Sequence, residues 1–299
     1  MDFGLFAEQT LNGVQYGIML FLMAAGLSVI FGIMNFINLA HGTLYMIGAF
    51  FFTTFDAWLG NFAVALLLAI LASLLLGLVL DRGVMQRLYD RTHLDQVLAT
   101  FGLLMFFNEL AAVLWGTEPY FIPVPALLDG TIALPGDIDY PVYRLAITAV
   151  GLLVALGLYL MVEHTRFGML IRAGATDRET LSGMGVDVRW LYSGVFAIGV
   201  MMAALAGMVT GPLVAVQVGM GETMLIVAFV VVVIGGIGSI TGALVSSLLV
   251  GVVDTLGRAL LPVWLGYTAG PALASMSIYV LMAAVLLLRP QGLSGARRA

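Results

Sequence analysis

Two amides and an imidazole lie close together where the first long apolar run of this chain ends. The cluster consists of Asn35, Asn38 and His41, and Gly42 follows it. Polar groups at membrane depth need partners or a water-filled cavity, so these residues are candidates for lining a solute path. The alternative is a cytoplasmic turn with Asn caps, which the chemistry of the residues alone favours.

A second polar segment covers residues 165–186 and carries charges of both signs. Asp177 is suited to cap a short helix that starts at Arg178, and Gly183 or Gly185 is suited to end it. A short helix between membrane spans can dock a soluble partner. The alternative is a solvated connector, and composition does not choose between the two.

Two further features lie inside or between apolar runs. The glycine-rich stretch 234–242 either opens backbone carbonyls to a pathway or forms a tight turn. Glu109 lies in the fourth apolar run, and Asp254 precedes Arg258 by one helical turn, which suits an ion pair. Buried acids could form a proton or ion relay. Because both acids lie near predicted external ends, snorkelling or a structural pair is favoured.

The elements that position these residues are membrane helices. Of the 299 residues, 62% are hydrophobic and 10% are charged, far from the balance of a soluble domain. Soluble enzymes and nucleic-acid binders are therefore excluded. We predict an all-α polytopic bundle of about eight to ten spans. Hydropathy places them at 11–34, 43–59, 62–80, 94–115, 142–162, 190–212, 222–236, 239–257 and 272–288. The second and seventh are short, which suits broken or re-entrant helices.

The arginines predict the orientation. Ten of them follow the third, fifth or last span: Arg82, Arg87, Arg91, Arg166, Arg172, Arg178, Arg189, Arg289, Arg297 and Arg298. Positive residues concentrate in cytoplasmic loops, so residues 163–189 and the C-terminus are predicted to be cytoplasmic. The loop 116–141 has no Arg but contains Asp137, and the N-terminus carries Asp2 and Glu8. Both are predicted to be external.

Residue counts exclude several kinds of chemistry. All 12 Lys and Arg residues are Arg, so the phosphate-binding Lys of an ATP-binding P-loop is missing. Any ATP hydrolysis must come from another chain. There is no Cys, and the three His residues lie far apart in sequence, so neither a thiolate site nor a metal centre is expected.

Four segments resemble, in chain order, the permease subunits of branched-chain amino-acid (Liv-type) ABC importers. They are residues 26–49, residues 97–103, residues 172–185 followed by 203–207, and residues 235–243. The segment from Ala173 to Asp177 reads Ala-Gly-Ala-Thr-Asp, a loose version of the Glu-Ala-Ala loop of ABC importers.

The resemblance implies one permease domain, residues 1–299, in the cell inner membrane. It would move branched-chain amino acids or a related small polar solute into the cytoplasm. Its partners would be a second permease, related or identical, two cytoplasmic ATPases that use ATP, and an external solute-binding protein. The chain itself would be no enzyme and would hold no cofactor. The runner-up function is an ion- or proton-coupled secondary transporter that uses Glu109 and Asp254.

The resemblance also suggests roles for residues. The residues that would contact the ATPase are Arg172, Ala173, Ala175, Asp177 and Gly185. The inner part of the path would be lined by Asn35, Asn38, His41 and Gly42. No charged pair is well placed in the sequence to clamp both ends of an amino acid, so selectivity is expected mainly in the external binding protein.

Overall fold

The computed structural model describes residues 3–135 and 138–294, without the side chains of Phe3, Arg178 and Glu179. Four residues of the orientation argument lie outside the described residues: Asp2, Asp137, Arg297 and Arg298.

Most of the described chain is helical, as expected of an all-α membrane protein, and its two regular strands form one small hairpin. Its helices are α1 (Phe3–Met34), α2 (His41–Leu59), α3 (Phe62–Leu80), a π-helical turn (Asp81–Met85), α4 (Gln86–Leu88), α5 (His93–Trp115), α6 (Val142–His164), α7 (Arg166–Thr176), α8 (Arg178–Gly183), α9 (Val188–Thr210), α10 (Met220–Gly235) and α11 (Ile240–Leu288). Strands β1 (Thr131–Leu134) and β2 (Ile138–Pro141) pair antiparallel within the predicted external loop.

Six helical segments of the described chain are long and apolar enough to cross a membrane. They are Gly4–Met34, Phe62–Leu88, His93–Trp115, Val142–His164, Val188–Thr210 and Ile240–Leu288. Helix α10 is apolar but shorter, at 16 residues. The fold is therefore that of a helical integral membrane protein.

Helix α11 differs from the prediction, which put a connection between spans at 239–257 and 272–288. Helical backbone continues through most of that connection, and only Gly266 leaves it, with φ 82° and ψ 163°. A Cβ atom on Gly257 would lie 3.9 Å from the Cα of Ala274, so the two halves of α11 run back along each other. The predicted connection is thus a sharp bend at one glycine.

The expected breaks in the second and seventh spans are absent from α2 and α10, which are continuous helices in the described chain. Neither helix has an internal non-helical residue like Gly266. The sequence signal for a break was shortness alone, and a short helix needs no break.

The chain forms two compact units, which we describe separately. Unit 2 consists of Ala25–Pro123 and Leu156–Ile226 and has α2, α3 and α9 at its centre. Its helices approach at small residues. A Cβ atom on Gly48 would lie 2.5 Å from the Cα of Ala204, and one on Gly26 would lie 2.8 Å from the carbonyl oxygen of Gly199. In lipid the hydrophobic effect does not drive helices together, so van der Waals contacts between closely spaced backbones stabilise their association.

Unit 1 consists of the described parts of Met1–Ala24, Val124–Ala155 and Val227–Ala299. Here α1 packs directly on the first half of α11. A Cβ atom on Gly13 would lie 2.7 Å from the Cα of Val252, and one on Gly17 would lie 2.8 Å from the Cα of Leu248. Side chains that flank these glycines on the two helices are therefore held close together.

Candidate functional site

The segment that joins α1 to α2 starts with an asparagine in the left-handed region. Asn35 has φ 49°, and its amide donates to the carbonyl of Phe31 at 2.9 Å. Asn tolerates this conformation better than other residues with a side chain, and it commonly ends helices this way. Asn35 therefore acts as a helix-ending residue, which is the turn interpretation of this position.

The next polar residues of the segment are buried. Asn38 and His41 are both 0% exposed, and Asn38 has no hydrogen-bond partner for either amide atom among the described residues. An orphaned buried amide is costly, and such groups in native proteins point to an unseen water or a functional role. Asn38, unlike Asn35, therefore has a buried amide whose hydrogen bonds the described residues do not supply.

Gly42 serves the packing of unit 2. A Cβ atom on Gly42 would lie 2.5 Å from the carbonyl oxygen of Gly221, in the first turn of α10. The amide of Leu39 donates to the hydroxyl of Thr100 at 3.1 Å, which fastens the segment to α5. These contacts fix the position of the buried amide of Asn38.

The polar segment 163–189 contains two short helices in place of the one expected. The hydroxyl of Thr165 accepts from the amide of Gly168 at 3.1 Å and caps α7, and Asp177 accepts from the amide of Thr180 at 3.0 Å and caps α8. Gly185, with φ 84°, lies in the turn after α8. The predicted cap at Asp177 is confirmed, and so is the stop that follows.

Of the predicted docking residues, Arg172 makes the clearest contacts. Its guanidinium donates to the carbonyl of Val162 and forms an ion pair with Glu163 at 3.3 Å, so it ties α7 to the end of α6. Ala173 and Ala175 are exposed on α7. Because half of the Arg172 side chain is also exposed, the ion pair adds little stability and leaves the charge accessible.

The inner side of this segment packs on α9. Ile171 and Leu181 are buried, and a Cβ atom on Gly174 would meet Leu181 at 3.2 Å and Leu191 at 3.4 Å. The outer side carries Met169 and Met184. They are 55% and 77% exposed, so the two helices present apolar surface outward.

A buried polar cluster that the sequence analysis missed lies at the end of α3. We call Asp81, Gln86, Tyr89 and Ser193 the Asp81 cluster. The Asp81 side chain is 0% exposed and accepts from Gln86 at 3.0 Å and from the hydroxyls of Tyr89 and Ser193. Gln86 also donates to Ser193 at 3.1 Å. The π-helical turn begins at Asp81, and such turns are frequent at functional sites.

The Asp81 cluster connects two regions singled out in the sequence. The ring of Tyr89 packs edge-on against Phe36 at 5.5 Å, in the segment between α1 and α2. Ser193 lies on α9, which follows the segment 163–189. Burial raises the pKa of Tyr89, and its hydrogen bond to Asp81 raises it further, so the phenol stays a donor. A movement of α9 would therefore reach Phe36 through hydrogen bonds and ring contacts.

The predicted intramembrane charges have different surroundings. Glu109 is exposed on α5, and the neighbouring Asn108 donates to Glu222 at the start of α10. Asp254 is 6% exposed and accepts from the Nε of Arg258 at 2.8 Å, which confirms the expected ion pair. Among residues 3–135 and 138–294 no cluster of three or more His, Asp and Glu could hold a metal.

The glycine-rich stretch forms a tight turn, the second of its two interpretations. Gly236 and Gly238 have φ 94° and 81°, and the Ser239 hydroxyl caps α11 by accepting from Gly242 at 3.0 Å. The end of α10 is completed by a later part of the chain. The amide of Leu293 donates to the carbonyl of Ile234 at 2.8 Å, and that of Ser294 to Gly235 at 3.1 Å.

Comparison with known proteins gives one consistent result. Residues 9–286 match the family described as "Branched-chain amino acid transport system / permease component". The chain is 30% identical to the high-affinity branched-chain amino acid transport system permease protein BraD of Pseudomonas aeruginosa, over 97% of this chain and 96% of that protein.

Two further relatives cover almost the same length. Identity is 27% with the high-affinity branched-chain amino acid transport system permease protein LivH of Escherichia coli K12, over 97% of this chain and 96% of that protein. It is 25% with the probable branched-chain amino acid transport permease protein LivH of Methanocaldococcus jannaschii, over 95% and 91%. No solved structure matches the chain. These relatives give no support to an ion-coupled secondary transporter, and the chain belongs to the family of permease components of branched-chain amino acid transport systems.

Proposed function

We propose that this chain is the membrane-spanning permease of an ABC importer and carries branched-chain amino acids, or a closely related small solute, into the cytoplasm. The observation that carries the proposal is the family match over residues 9–286. A permease of this class works with separate ATPase subunits and a solute-binding protein. We further propose a second permease, two ATPases that consume the ATP, and no cofactor in this chain.

The segment 163–189 is the proposed docking site for the ATPase. Both of its helices have side-chain caps, and Arg172 and Leu181 fix them to α6 and α9. A rigid surface is needed if closure of an ATPase dimer is to move a helix bundle. Met169 and Met184, with the exposed Ala173 and Ala175, offer the contact surface.

We propose nine spans, with the N-terminus external and the C-terminus cytoplasmic. The spans are α1, α2, α3, α5, α6, α9, α10 and the two halves of α11 on either side of Gly266. This number puts the capped segment 163–189 on the arginine-rich, cytoplasmic side, where an ATPase would bind.

The polar residues at the start of α2 are proposed to lie on the inner part of the path. Asn38 and His41 would face it, while Asn35 and Gly42 shape the backbone around them. Support comes from the buried, unpaired amide of Asn38, because a permeating zwitterion or its water can supply the missing hydrogen bonds.

Uptake by a reconstituted complex tests the function. The chain is purified with its second permease and ATPases, placed in vesicles, and supplied with the solute-binding protein and radiolabelled leucine. We expect uptake with ATP and none with ADP or with an ATPase that lacks its phosphate-binding Lys. Leucine uptake driven by an ion gradient in the absence of the ATPases would contradict the proposal.

Two variants test the path. Asn38→Leu should lower the maximum uptake rate and leave the apparent affinity nearly unchanged, since the external binding protein captures the solute first. Asn35→Gly is the matched control, because glycine keeps the left-handed helix end and should leave the rate unaltered. An unchanged rate in Asn38→Leu would remove Asn38 from the path.

A further inference from the structure

An open groove with several polar residues, which we call the Asp254 cavity, lies between α1 and the first half of α11, inside unit 1. Its volume is about 500 Å³, and its lining consists of Gln9, Tyr16, Asp254, Thr255, Arg258 and Ala259. This size lies within the range of small-molecule sites. Gly13 and Gly17 of α1 contact α11 directly, and this brings the polar residues of α1 close to those of α11.

The charges in this cavity are only half satisfied by each other. Arg258 uses Nε for Asp254 Oδ2, at 2.8 Å, and its side chain is 59% exposed. Asp254 is 8% exposed, and its second oxygen, Oδ1, is buried without a hydrogen-bond partner among the described residues. The cavity is therefore lined by a carboxylate that lacks one hydrogen bond and by a guanidinium whose two Nη groups are not used by that carboxylate.

A structural ion pair explains Oδ2 and Nε but not the remaining groups. A buried carboxylate oxygen without a donor is unfavourable, and the single hydrogen bond from Arg258 to Oδ2 does not supply the one that Oδ1 lacks. A ligand with a positive donor next to a negative acceptor would satisfy both sides. An α-amino acid has an ammonium and a carboxylate on the same carbon atom, and Arg binds a carboxylate with two parallel hydrogen bonds.

We infer that this cavity is a transit site for the zwitterionic head of the transported amino acid. The ammonium of the solute donates to the carboxylate of Asp254, the carboxylate of the solute accepts from the Nη groups of Arg258, and Tyr16 and Gln9 offer further hydrogen bonds. The inference rests on the proposed function and adds to it a site for the solute in the permease itself. It departs from the expectation from sequence that no charged pair is well placed to clamp both ends of an amino acid.

Cysteine protection tests the site directly. Because the chain has no Cys, Thr255→Cys places a single thiol in the cavity. The complex is held in phosphatidylglycerol vesicles and labelled with a neutral maleimide. We expect about 10 mM L-leucine to slow labelling at least about threefold, since a transit site must bind weakly enough to release its solute.

Two leucine analogues test the two-charge recognition. Isoamylamine lacks the carboxylate and 4-methylpentanoate lacks the ammonium, so each should slow labelling less than leucine. Thr10→Cys, on α1 outside the cavity, is the control and should label at the same rate with and without leucine. Adding Asp254→Asn to Thr255→Cys should abolish the advantage of leucine over 4-methylpentanoate. The analogue comparison needs no change at Asp254, so it stands if that variant fails to fold.

Several results would overturn the inference. The inference fails if leucine leaves the labelling rate unaltered, and it fails if all three compounds slow labelling equally. Phosphatidylethanolamine carries the same two charges. If adding it to the vesicles slows labelling as much as leucine does, and leucine then adds nothing, the cavity holds a lipid headgroup instead.

Failure of the site and failure of the proposed function are separable. ATP-driven leucine uptake by the unmodified complex, together with no protection at Thr255→Cys, refutes the transit site alone. If no branched-chain amino acid is taken up with ATP, the proposed function is refuted. The transit site is then refuted too, because it rests on that function.

Discussion

Replacing Asp81 with Ala removes the shared acceptor of three hydrogen bonds in unit 2. The donors are Gln86, Tyr89 and Ser193. At about 1 kcal/mol for each bond, the loss is about 3 kcal/mol, which is also the scale for breaking a buried polar pair. Asp81→Asn keeps the volume and one acceptor oxygen, but its NH₂ faces a donor. We expect that variant to lose about 1–2 kcal/mol.

Thermal unfolding in detergent measures this loss. For a chain of this size we expect Asp81→Ala to lower the apparent Tm by about 5–10 °C, and Asp81→Asn by roughly half as much. Ser73→Ala is the matched control. Ser73 is a buried polar residue on the same helix, but its hydroxyl has no hydrogen-bond partner among the described residues, so its removal should cost nothing.

The functional part of the prediction uses the same variants. If the cluster transmits movement of α9 to Phe36, Asp81→Ala should reduce leucine uptake more than ATP hydrolysis, while Ser73→Ala changes neither. A Tm for Asp81→Ala within 1 °C of the native value, or a larger loss in Ser73→Ala than in Asp81→Ala, would refute the reasoning about the cluster.

Three further predictions concern docking, orientation and packing. Asp177→Ala should cost about 1 kcal/mol of capping energy at α8 and raise the amount of ATP hydrolysed per solute moved. Asp177→Asn caps equally well and should behave like the native chain. An equal loss of coupling in both variants would assign Asp177 a charge contact instead. Single cysteines at Asp129 and Ser294 should react with a membrane-impermeant maleimide from opposite faces, and reaction from one face would overturn the proposed orientation. Gly48→Val should lower the free energy of unfolding by about 3 kcal/mol or more, because the new side chain pushes α2 away from α9. Gly157 has open space around it, so Gly157→Val should be tolerated. Similar expression and melting of the two variants would contradict this packing.

Helix positions could be predicted because they depend on local properties. A run of apolar residues long enough for the bilayer forms a helix whatever it packs against, so the segments containing α3, α5 and α6 were placed well from hydropathy. The capping of α8 by Asp177 was predictable for the same reason, since the cap and the amide that it binds are neighbours in sequence.

The bend in α11 shows where local rules fail. Pro262 and Pro271 both lie inside this helix without ending it. Proline is tolerated inside membrane helices, and at this place only Gly266 changes direction. Gly270 packs against Pro262 on the returning side of the same bend.

The Asp81 cluster and the cavity at Asp254 needed the tertiary fold. Ser193 lies 112 residues from Asp81 in the chain, so nothing local indicates that the two meet. The only signal for Asp81 was an acidic residue directly after an apolar run. The ion pair of Asp254 with Arg258 was predictable from their spacing, but the contact of Gly13 and Gly17 with α11, which forms one side of the cavity, was not.

The pairing of Leu293 and Ser294 with the end of α10 has a consequence for biosynthesis. A ribosome makes α10, then all of α11, and only afterwards these two residues. While α11 is being synthesised, the carbonyls of Ile234 and Gly235 lack the amide donors of Leu293 and Ser294. The last carbonyls of a helix have no partner within the helix and need one elsewhere. The hairpin of α10 and α11 is therefore completed by residues that leave the ribosome after it. A nascent chain that stalls before Leu293 contains both helices but lacks the two hydrogen bonds that complete the end of α10.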